Sequence, residues 1–279
     1  MSKSFYTLIF ITIILFSLNK TTAQSSDYKK GDFYTYWGWN WSWYSKSNIS
    51  FKGDNYNFKL HKAKAQDRQT KFTIDNYLNP ANITTPQYNF RFGYFIKKNV
   101  DISFGIDHMK YVLEQNQLGR ISGFIKNTGT KYDGVYNNTS IPISEDFLQL
   151  EYTDGLNYIN FEIRKHSSDF IIPIGALDSE NNLKLKTIYG AGLGIMYPKT
   201  DSTLLNNERN DNFYLSGYGL HSIVGLNLKL YKNLFFQTEL KGGYVSLPNI
   251  RTTNSKIDKA SQDFFYAQYN FVFGYLWQL

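Results

Sequence analysis

The sequence contains no cysteine, and only six prolines and three methionines, among 279 residues. The missing thiols exclude disulfides, thiolate nucleophiles and cysteine-type zinc sites. After residue 23 no apolar run approaches the roughly 20 residues that a membrane-spanning helix needs. The fold must therefore be held together by packing and by backbone hydrogen bonds.

The first 23 residues differ from the rest of the chain. Lys3 gives a basic start, an uncharged apolar run extends from Tyr6 to Leu18, and Thr21 and Ala23 supply small residues before Gln24. This pattern is typical of a secretory signal peptide, with a retained anchor helix as the alternative. We predict a signal peptide at 1–23 and one domain at 24–279.

The charge and the histidines narrow the possible partners. Without Lys3 and Lys20 of the predicted signal peptide, 28 basic and 23 acidic residues leave a formal net charge of +5, which is too small to indicate nucleic acid. The four histidines, at 61, 108, 166 and 221, show none of the short spacings of a zinc site. We therefore expect no metal and no cofactor, and we interpret His221 as a core histidine with satisfied hydrogen bonds.

Aromatic residues make up 18% of the chain and recur with a period of two. From Trp37 to Trp43, every second residue is tryptophan and the intervening residues are small or polar. In a later segment, Arg91 lies between two phenylalanines, which makes little sense in a helix. Alternation of this kind over about 10 residues predicts strands that cross a membrane, with lipid-facing and lumen-facing residues in turn.

Eight segments follow this pattern, and they are joined by alternately short and long connections. The short turns are 97–99 and 231–233, whereas the long polar connections are 46–86, 113–146, 198–217 and 245–264; only 166–182 is long where a short turn is expected. The sequence therefore predicts an all-β fold: a closed antiparallel transmembrane β-barrel of eight strands with long extracellular loops. The eight segments are 33–45, 87–97, 100–112, 147–164, 183–197, 218–230, 234–244 and 265–279.

Two details of this prediction have alternatives. A ten-stranded barrel would result if residues 48–64 and 119–127 entered the ring. In the segment 147–164, Leu148, Leu150 and Tyr152 are predicted to face outward, and a slip of phase near Asp154 is interpreted as a β-bulge.

The alternation from Phe33 onward and the final segment Phe273–Leu279 resemble the eight-stranded outer-membrane barrels of bacteria. The final segment is similar to the signal that barrel-assembly machinery reads, although such signals usually end in an aromatic residue. The resemblance implies a bacterial outer-membrane location with both termini in the periplasm. It also implies outer-membrane lipid, including lipopolysaccharide, and the assembly machinery as partners.

The inward positions of the predicted strands carry charges of both signs. An eight-stranded barrel is just wide enough for its side chains to fill, and buried charges must be paired. We therefore predict an ion-pair network in the lumen, with a polar cavity beside Gly190, Gly192 and Gly194 as the alternative. The predicted network consists of Arg91, Glu151, Glu162, Arg164, Glu239 and Lys241.

A second pattern concerns catalysis. His166 and Ser168 are two residues apart on one strand face, and Glu180 follows. This arrangement resembles the outer-membrane lipid A 3-O-deacylases, which implies Ser168 as nucleophile, His166 as base and Glu180 as the orienting acid. Asp169 and Phe170 stand where that family has Asn-Ala.

These observations favour a non-enzymatic outer-membrane barrel with a structural or surface-binding role and a largely filled lumen. The alternatives are a lipid A acyl-ester hydrolase, and a small channel for apolar or ionic solutes.

Overall fold

The computed structural model describes residues 27–79, 81, 82, 84–172, 183–207, 209–231 and 233–279. These ranges are almost entirely β-structure, with one short helix, α1 (Ile74–Leu78). No helix in the described ranges is long and apolar enough to span a membrane. Numbered along the chain, the strands are β1 (Phe33–Tyr44), β2 (Ser47–Lys52), β3 (Tyr56–Ala63), β4 (Ala65–Gln66), β5 (Tyr88–Lys97), β6 (Val100–Leu113), β7 (Leu118–Ile125), β8 (Gly134–Pro142), β9 (Leu148–His166), β10 (Phe170–Ile172), β11 (Leu183–Met196), β12 (Lys199–Leu204), β13 (Asn210–Phe213), β14 (Gly217–Tyr231), β15 (Leu234–Arg251) and β16 (Lys259–Trp277).

Eight of these strands form a closed antiparallel ring in the order β1-β5-β6-β9-β11-β14-β15-β16. β16 pairs with β1 from Phe33↔Trp277 to Tyr44↔Tyr266, and this pairing closes the ring. Closure gives hydrogen-bond partners to the backbone N–H and C=O groups of β1 and β16, which would otherwise bond to water. The predicted eight-stranded barrel is therefore confirmed.

The outer surface of the ring is apolar because outward residues alternate with inward ones along every strand. One cross-strand row contains Phe104, Phe161, Leu193 and Leu220, with side chains 46% to 67% exposed. Large apolar side chains exposed in such rows require an apolar solvent around them. This belt identifies the ring as the part of the protein that lies in lipid.

A charge placed in the belt should destabilise the barrel. We expect Leu193→Arg to lower the free energy of unfolding in lipid vesicles by about 2–4 kcal/mol, because an arginine near the bilayer midplane loses its hydration. The measurement is urea-induced unfolding followed by tryptophan fluorescence. Val135→Arg is the matched control, since Val135 is 89% exposed on β8 outside the ring; equal unfolding of both variants would contradict a lipid-facing belt.

The interior of the ring has three layers. At the end that holds Tyr28 and Leu276, here called the terminal end, an apolar group fills the mouth. At the opposite end, here called the loop end, a larger apolar group is buried, and we refer to it as the loop-end core. A polar layer lies between the two. The terminal-end group consists of Tyr28, Tyr34, Tyr36, Phe95, Phe235, Val272 and Leu276, and the loop-end core includes Ile49, Phe51, Phe58, Leu60, Met109, Tyr111, Phe147, Leu150, Tyr152, Leu247 and Phe264.

The loop-end core exists because the ring strands continue beyond the apolar belt. On β15 the inward side chains change from Lys241 to Val245 and Leu247 without a change of phase. On β16 they change in the same way between Gln268 and Phe264. The outward phase of β16 at this height carries the exposed charged residues Lys259 and Asp263, as on a strand that faces water, and the apolar residues lie inside the ring, as in a soluble β-protein.

The long connections add strands to this loop end. β16 pairs with β2, and the sheet continues through β3 and β7 to β8. β12 pairs with the start of β9 and with β13. The segments 48–64 and 119–127 therefore enter the sheet, but as an extension of β16 outside the eight-stranded ring.

The prediction for the start of β9 was partly wrong. Leu148, Leu150 and Tyr152 face inward into the loop-end core, not outward. A β-bulge is present, because three residues, Thr153 to Gly155, oppose the single residue Lys110 of β6. The bulge adds two residues to β9, so the same alternate residues of β9 face inward before and after it. The apparent slip arose because the inward face of β9 changes from apolar to polar at this height.

Candidate functional site

The polar layer of the lumen is built around two arginines and two glutamates. Arg164 donates to Glu162 at 2.5 Å and to Glu239 at 2.7 Å, and Arg91 lies 2.7 Å from Glu162. Both guanidinium groups also donate to the Tyr36 hydroxyl, at 3.0 Å from Arg91 and 2.8 Å from Arg164. All four charged side chains are fully buried. The ring thus holds a buried ion-pair network at its centre.

Lys241 completes the network on the side nearer the loop end. Its ammonium group lies 2.5 Å from Asp107 and 3.0 Å from Glu162. Three cations, Arg91, Arg164 and Lys241, thereby face three anions. This balance matters because an unpaired charge at this depth would cost several kcal/mol. We call these six residues the lumen network: Arg91, Asp107, Glu162, Arg164, Glu239 and Lys241.

His221 is bound at both ring nitrogens. Its Nδ1 lies 2.9 Å from the Tyr158 hydroxyl, and its Nε2 lies 2.8 Å from Glu162. The ring is 3% exposed. This is the core histidine with satisfied hydrogen bonds that the sequence predicts.

The inward glycines of β11 make room for the lumen network. A Cβ atom on Gly192 would lie 2.6 Å from both Glu162 and His221, and one on Gly194 would lie 2.7 Å from the Asn160 side chain. The backbone of β11 is therefore a flat wall against which large polar side chains of β9 and β14 pack. Beside these glycines, neighbouring side chains occupy the lumen.

Of the six side chains predicted for the network, the structure joins five: Arg91, Glu162, Arg164, Glu239 and Lys241. Glu151 lies elsewhere, because its position on β9 has the outward phase. It accepts two hydrogen bonds from Arg68, at 2.8 Å and 2.9 Å. Asp107 takes the place in the network that the sequence interpretation gave to Glu151.

Two residues of the hydrolase pattern, His166 and Ser168, lie in the described part of the chain, and they are not joined there. The His166 ring is buried and its Nε2 lies 2.6 Å from Asp101. Ser168 is exposed, and no hydrogen bond between its hydroxyl and His166 is present in the described ranges. Glu180 lies outside the described residues.

A second polar cluster lies on the outer wall, and the sequence interpretation did not assign it. On β6 the outward side chains change from Ile102, Phe104 and Ile106 to His108 and Lys110. The signal was present in the sequence, because both polar residues share the phase of the apolar ones. In the sequence, His108 stands out only as one of four histidines, and Lys110 does not stand out beside it.

This cluster borders a cleft of about 440 Å³ at the edge of the apolar belt. Residues 84 and 85 border one side, and the β9 bulge and Phe213 border the other. Nearby on the same connection, the Asp67 carboxylate accepts from the Ser42 amide at 2.9 Å and from Gln87 at 2.7 Å. Burial raises the pKa of Asp67 above its ordinary value, against the effect of these hydrogen bonds.

A closed ring, an apolar belt and a filled polar interior together define an outer-membrane β-barrel, and the chain is a protein of this class. No protein-family model matches the sequence, and no curated protein matches it significantly.

Solved structures similar to this chain include several small outer-membrane proteins. OprG from Pseudomonas aeruginosa is 12% identical with a TM-score of 0.38, over 90% of this chain and 98% of that one. The attachment invasion locus protein Ail of Yersinia pestis is 9% identical with a TM-score of 0.31, over 89% and 99%. Neisserial surface protein A is 11% identical with a TM-score of 0.33, over 86% and 98%.

Proposed function

We propose that this protein is a non-conducting outer-membrane barrel whose role is to hold a rigid β-structured surface outside the cell. The proposed role requires that the loop end faces the exterior and that both termini lie in the periplasm. Barrel-assembly machinery would insert the chain, with Phe273–Leu279 as the segment that it reads.

The observation that carries the proposal is the filled lumen. At its centre, Arg164 and Glu239 meet across the ring from β9 and β15 at 2.7 Å. The loop-end core covers this polar layer on one side. On the other side the terminal-end group covers it, together with the buried pairs His166–Asp101 and Lys186–Asp169. A permeating ion would have to break buried ion pairs and also cross packed apolar side chains, so passage through the ring is strongly disfavoured.

The structured loop end supports a surface role. Loops that serve only to connect strands are short or irregular, whereas here β2, β3, β7 and β8 form a sheet extension that packs on its own apolar core. Stacked rings of Phe51 and Phe58, with centroids 5.0 Å apart, hold two of these strands together. A rigid surface loses little conformational entropy when it binds a partner.

The test is conductance in a planar lipid bilayer. We expect the folded full chain to give no stepwise current at any applied voltage, with a water-filled porin as the positive control under the same conditions. Discrete current steps that increase in number with added protein would contradict a filled lumen and favour the channel alternative. Folding is verified beforehand by the heat-dependent shift in gel mobility.

A further inference from the structure

Lys110 is a buried cation with no carboxylate in direct contact among the described residues. Its residue is 9% exposed, and its ammonium group donates to the Thr70 hydroxyl at 2.9 Å and to the Thr85 carbonyl at 2.8 Å. No carboxylate in the described part of the chain lies within ion-pairing distance of it. An ammonium group has three donors, so one remains for a further partner. Asp67 and Asp154 attract this ammonium group only from beyond contact distance, and a buried cation compensated in this partial way favours an anionic ligand.

The carboxylates near the cleft do not take this role. Asp154 borders the cleft, but Lys199 binds it at 2.7 Å, and Asp211 binds the same lysine at 3.1 Å. Asp67 attracts Lys110 through space, but its oxygens accept from the Ser42 amide and from Gln87 and do not contact the ammonium group. Lys110 is therefore the cation of the cleft that is available to an external anion.

His108 supplies a second polar group next to Lys110. Its Nδ1 lies 2.8 Å from Oδ1 of Asn157, whose amide nitrogen donates to the Tyr197 carbonyl at 3.3 Å. This orientation assigns the proton to Nδ1 and leaves Nε2 as an acceptor in the neutral ring. No partner for Nε2 is found among the described residues, although the histidine is only 6% exposed. The free nitrogen suits a hydroxyl group of a ligand.

The β9 bulge makes this geometry possible. Gly155 has φ of +124°, and a Cβ atom there would lie 2.7 Å from the His108 ring and 2.6 Å from Asn157. Only glycine suits both the backbone conformation and the close approach. The bulge thus opens the wall where His108 and Asn157 meet, and bulges often re-aim side chains in this way.

The cleft is polar on one side and apolar on the other. Tyr88 stacks on His108 with centroids 4.8 Å apart, and Ile106 lies next on the strand towards the belt. Phe90 lies beside Ile106 on the neighbouring strand, and below this pair the outward wall continues with Phe104 and Phe92, 46% and 44% exposed. A ligand bound here would have its polar group at Lys110 and His108 and its apolar part along the belt.

We propose that this cleft binds the phosphate-bearing headgroup of a membrane lipid. Lys110 binds the phosphate, His108 Nε2 accepts from a headgroup hydroxyl, and an acyl chain lies over Ile106 and Phe104. This inference rests on the proposed function in one respect: the proposed orientation, with the loop end outside the cell, places the cleft in the outer leaflet. Two lipids share this chemistry: the phosphorylated disaccharide lipid of the outer leaflet, and phosphatidylglycerol.

The test is native mass spectrometry of the full chain, folded in a neutral detergent and titrated with four probes. These are bis-phosphorylated lipid A, the same lipid without phosphates, phosphatidylglycerol, and inorganic phosphate. We expect Lys110→Met to weaken binding of the preferred lipid at least tenfold. His108→Phe, which keeps the stacking on Tyr88 but removes both nitrogens, should weaken it severalfold. Lys165→Met is the matched control, since Lys165 is an exposed lysine on the outward phase of β9, and it should bind as the wild type does.

Each outcome decides the proposal. Loss of binding with Lys110→Met upholds the site, and the lipid that shows this loss identifies the headgroup. Equal binding by the wild type and Lys110→Met, or equal binding of phosphorylated and dephosphorylated lipid, would overturn it. An affinity for inorganic phosphate as high as for either lipid would overturn the acyl-chain contact. If Lys110→Met fails to fold, unchanged binding by His108→Phe overturns the role of His108. These results are independent of the conductance measurement, so the two proposals can fail separately.

Discussion

Arg164→Met should destabilise the folded barrel by about 3–5 kcal/mol, because it removes the cation shared by Glu162 and Glu239 and leaves buried carboxylates without it. Methionine approximates the aliphatic part of arginine, so the lost charge and hydrogen bonds dominate the effect. The measurement is urea-induced unfolding in vesicles, supported by the temperature at which the gel-mobility shift disappears.

The adjacent residue provides the control for Arg164. Lys165 has the outward phase and is exposed, and Lys165→Met should change the free energy of unfolding by less than about 1 kcal/mol. Arg164→Lys should fall between the two, because it keeps the charge but loses the planar geometry that joins two carboxylates and the Tyr36 hydroxyl. If Arg164→Met unfolds like Lys165→Met, the network does not stabilise the barrel.

Phe58→Ala should destabilise the loop-end core by about 3–5 kcal/mol, because it removes a large ring that is only 2% exposed. Phe58 stacks on Phe51 and lies 5.7 Å from the Phe147 ring, so the cavity would separate the β2–β3 hairpin from the start of β9. We expect rapid proteolysis within β2, β3 and β7, detected by mass spectrometry of the fragments.

The ring itself should remain folded in this variant. Its lumen network and apolar belt do not contact Phe58, so the heat-dependent mobility shift should persist after proteolysis. Val135→Ala, at an 89% exposed position of β8, is the control and should resist protease like the wild type. Resistance of Phe58→Ala equal to that of the control would mean that the loop-end core does not hold the extension together.

The sequence predicts the ring well because the period of two persists through every ring strand. The Trp37 to Trp43 alternation appears in the structure with the tryptophans on the outward phase of β1. The predicted turn at 97–99 connects β5 and β6, and Tyr231 and Leu234 on either side of the other predicted turn are paired, although residue 232 lies outside the described residues. Strand existence and pairing order follow from local alternation and connection length, and both are properties of the sequence alone.

At the loop end it is harder to predict which residues face inward, because the alternation of apolar and polar residues does not show whether lipid or water surrounds a strand. Within the belt, an apolar residue faces lipid; beyond it, an apolar residue faces the interior. Leu150 and Tyr152 of β9 follow the second rule. The rule that apolar residues face lipid predicts that Leu150 and Tyr152 face outward, and it therefore wrongly places Glu151 in the lumen. The height at which each strand leaves the membrane depends on all eight ring strands together, so it cannot be derived from the local sequence of one strand.

The outer-wall cluster illustrates a different limit. His108 and Lys110 were recognisably outward by phase, but the cleft beside them requires the connection that carries Thr70 and Thr85 to fold back over β6. That contact joins residues 25 or more positions apart, and no local pattern indicates it.

The pairing of β1 with β16 has a consequence for how the chain matures. It joins the two ring strands that are farthest apart in sequence, so it carries a large entropic cost of closure and should form late. Until it forms, β1 and β16 each present a bare row of amide and carbonyl groups, and β1 also presents its row of tryptophans. The species most prone to aggregate is then the nearly finished sheet, and protection during biogenesis matters most just before the seam closes.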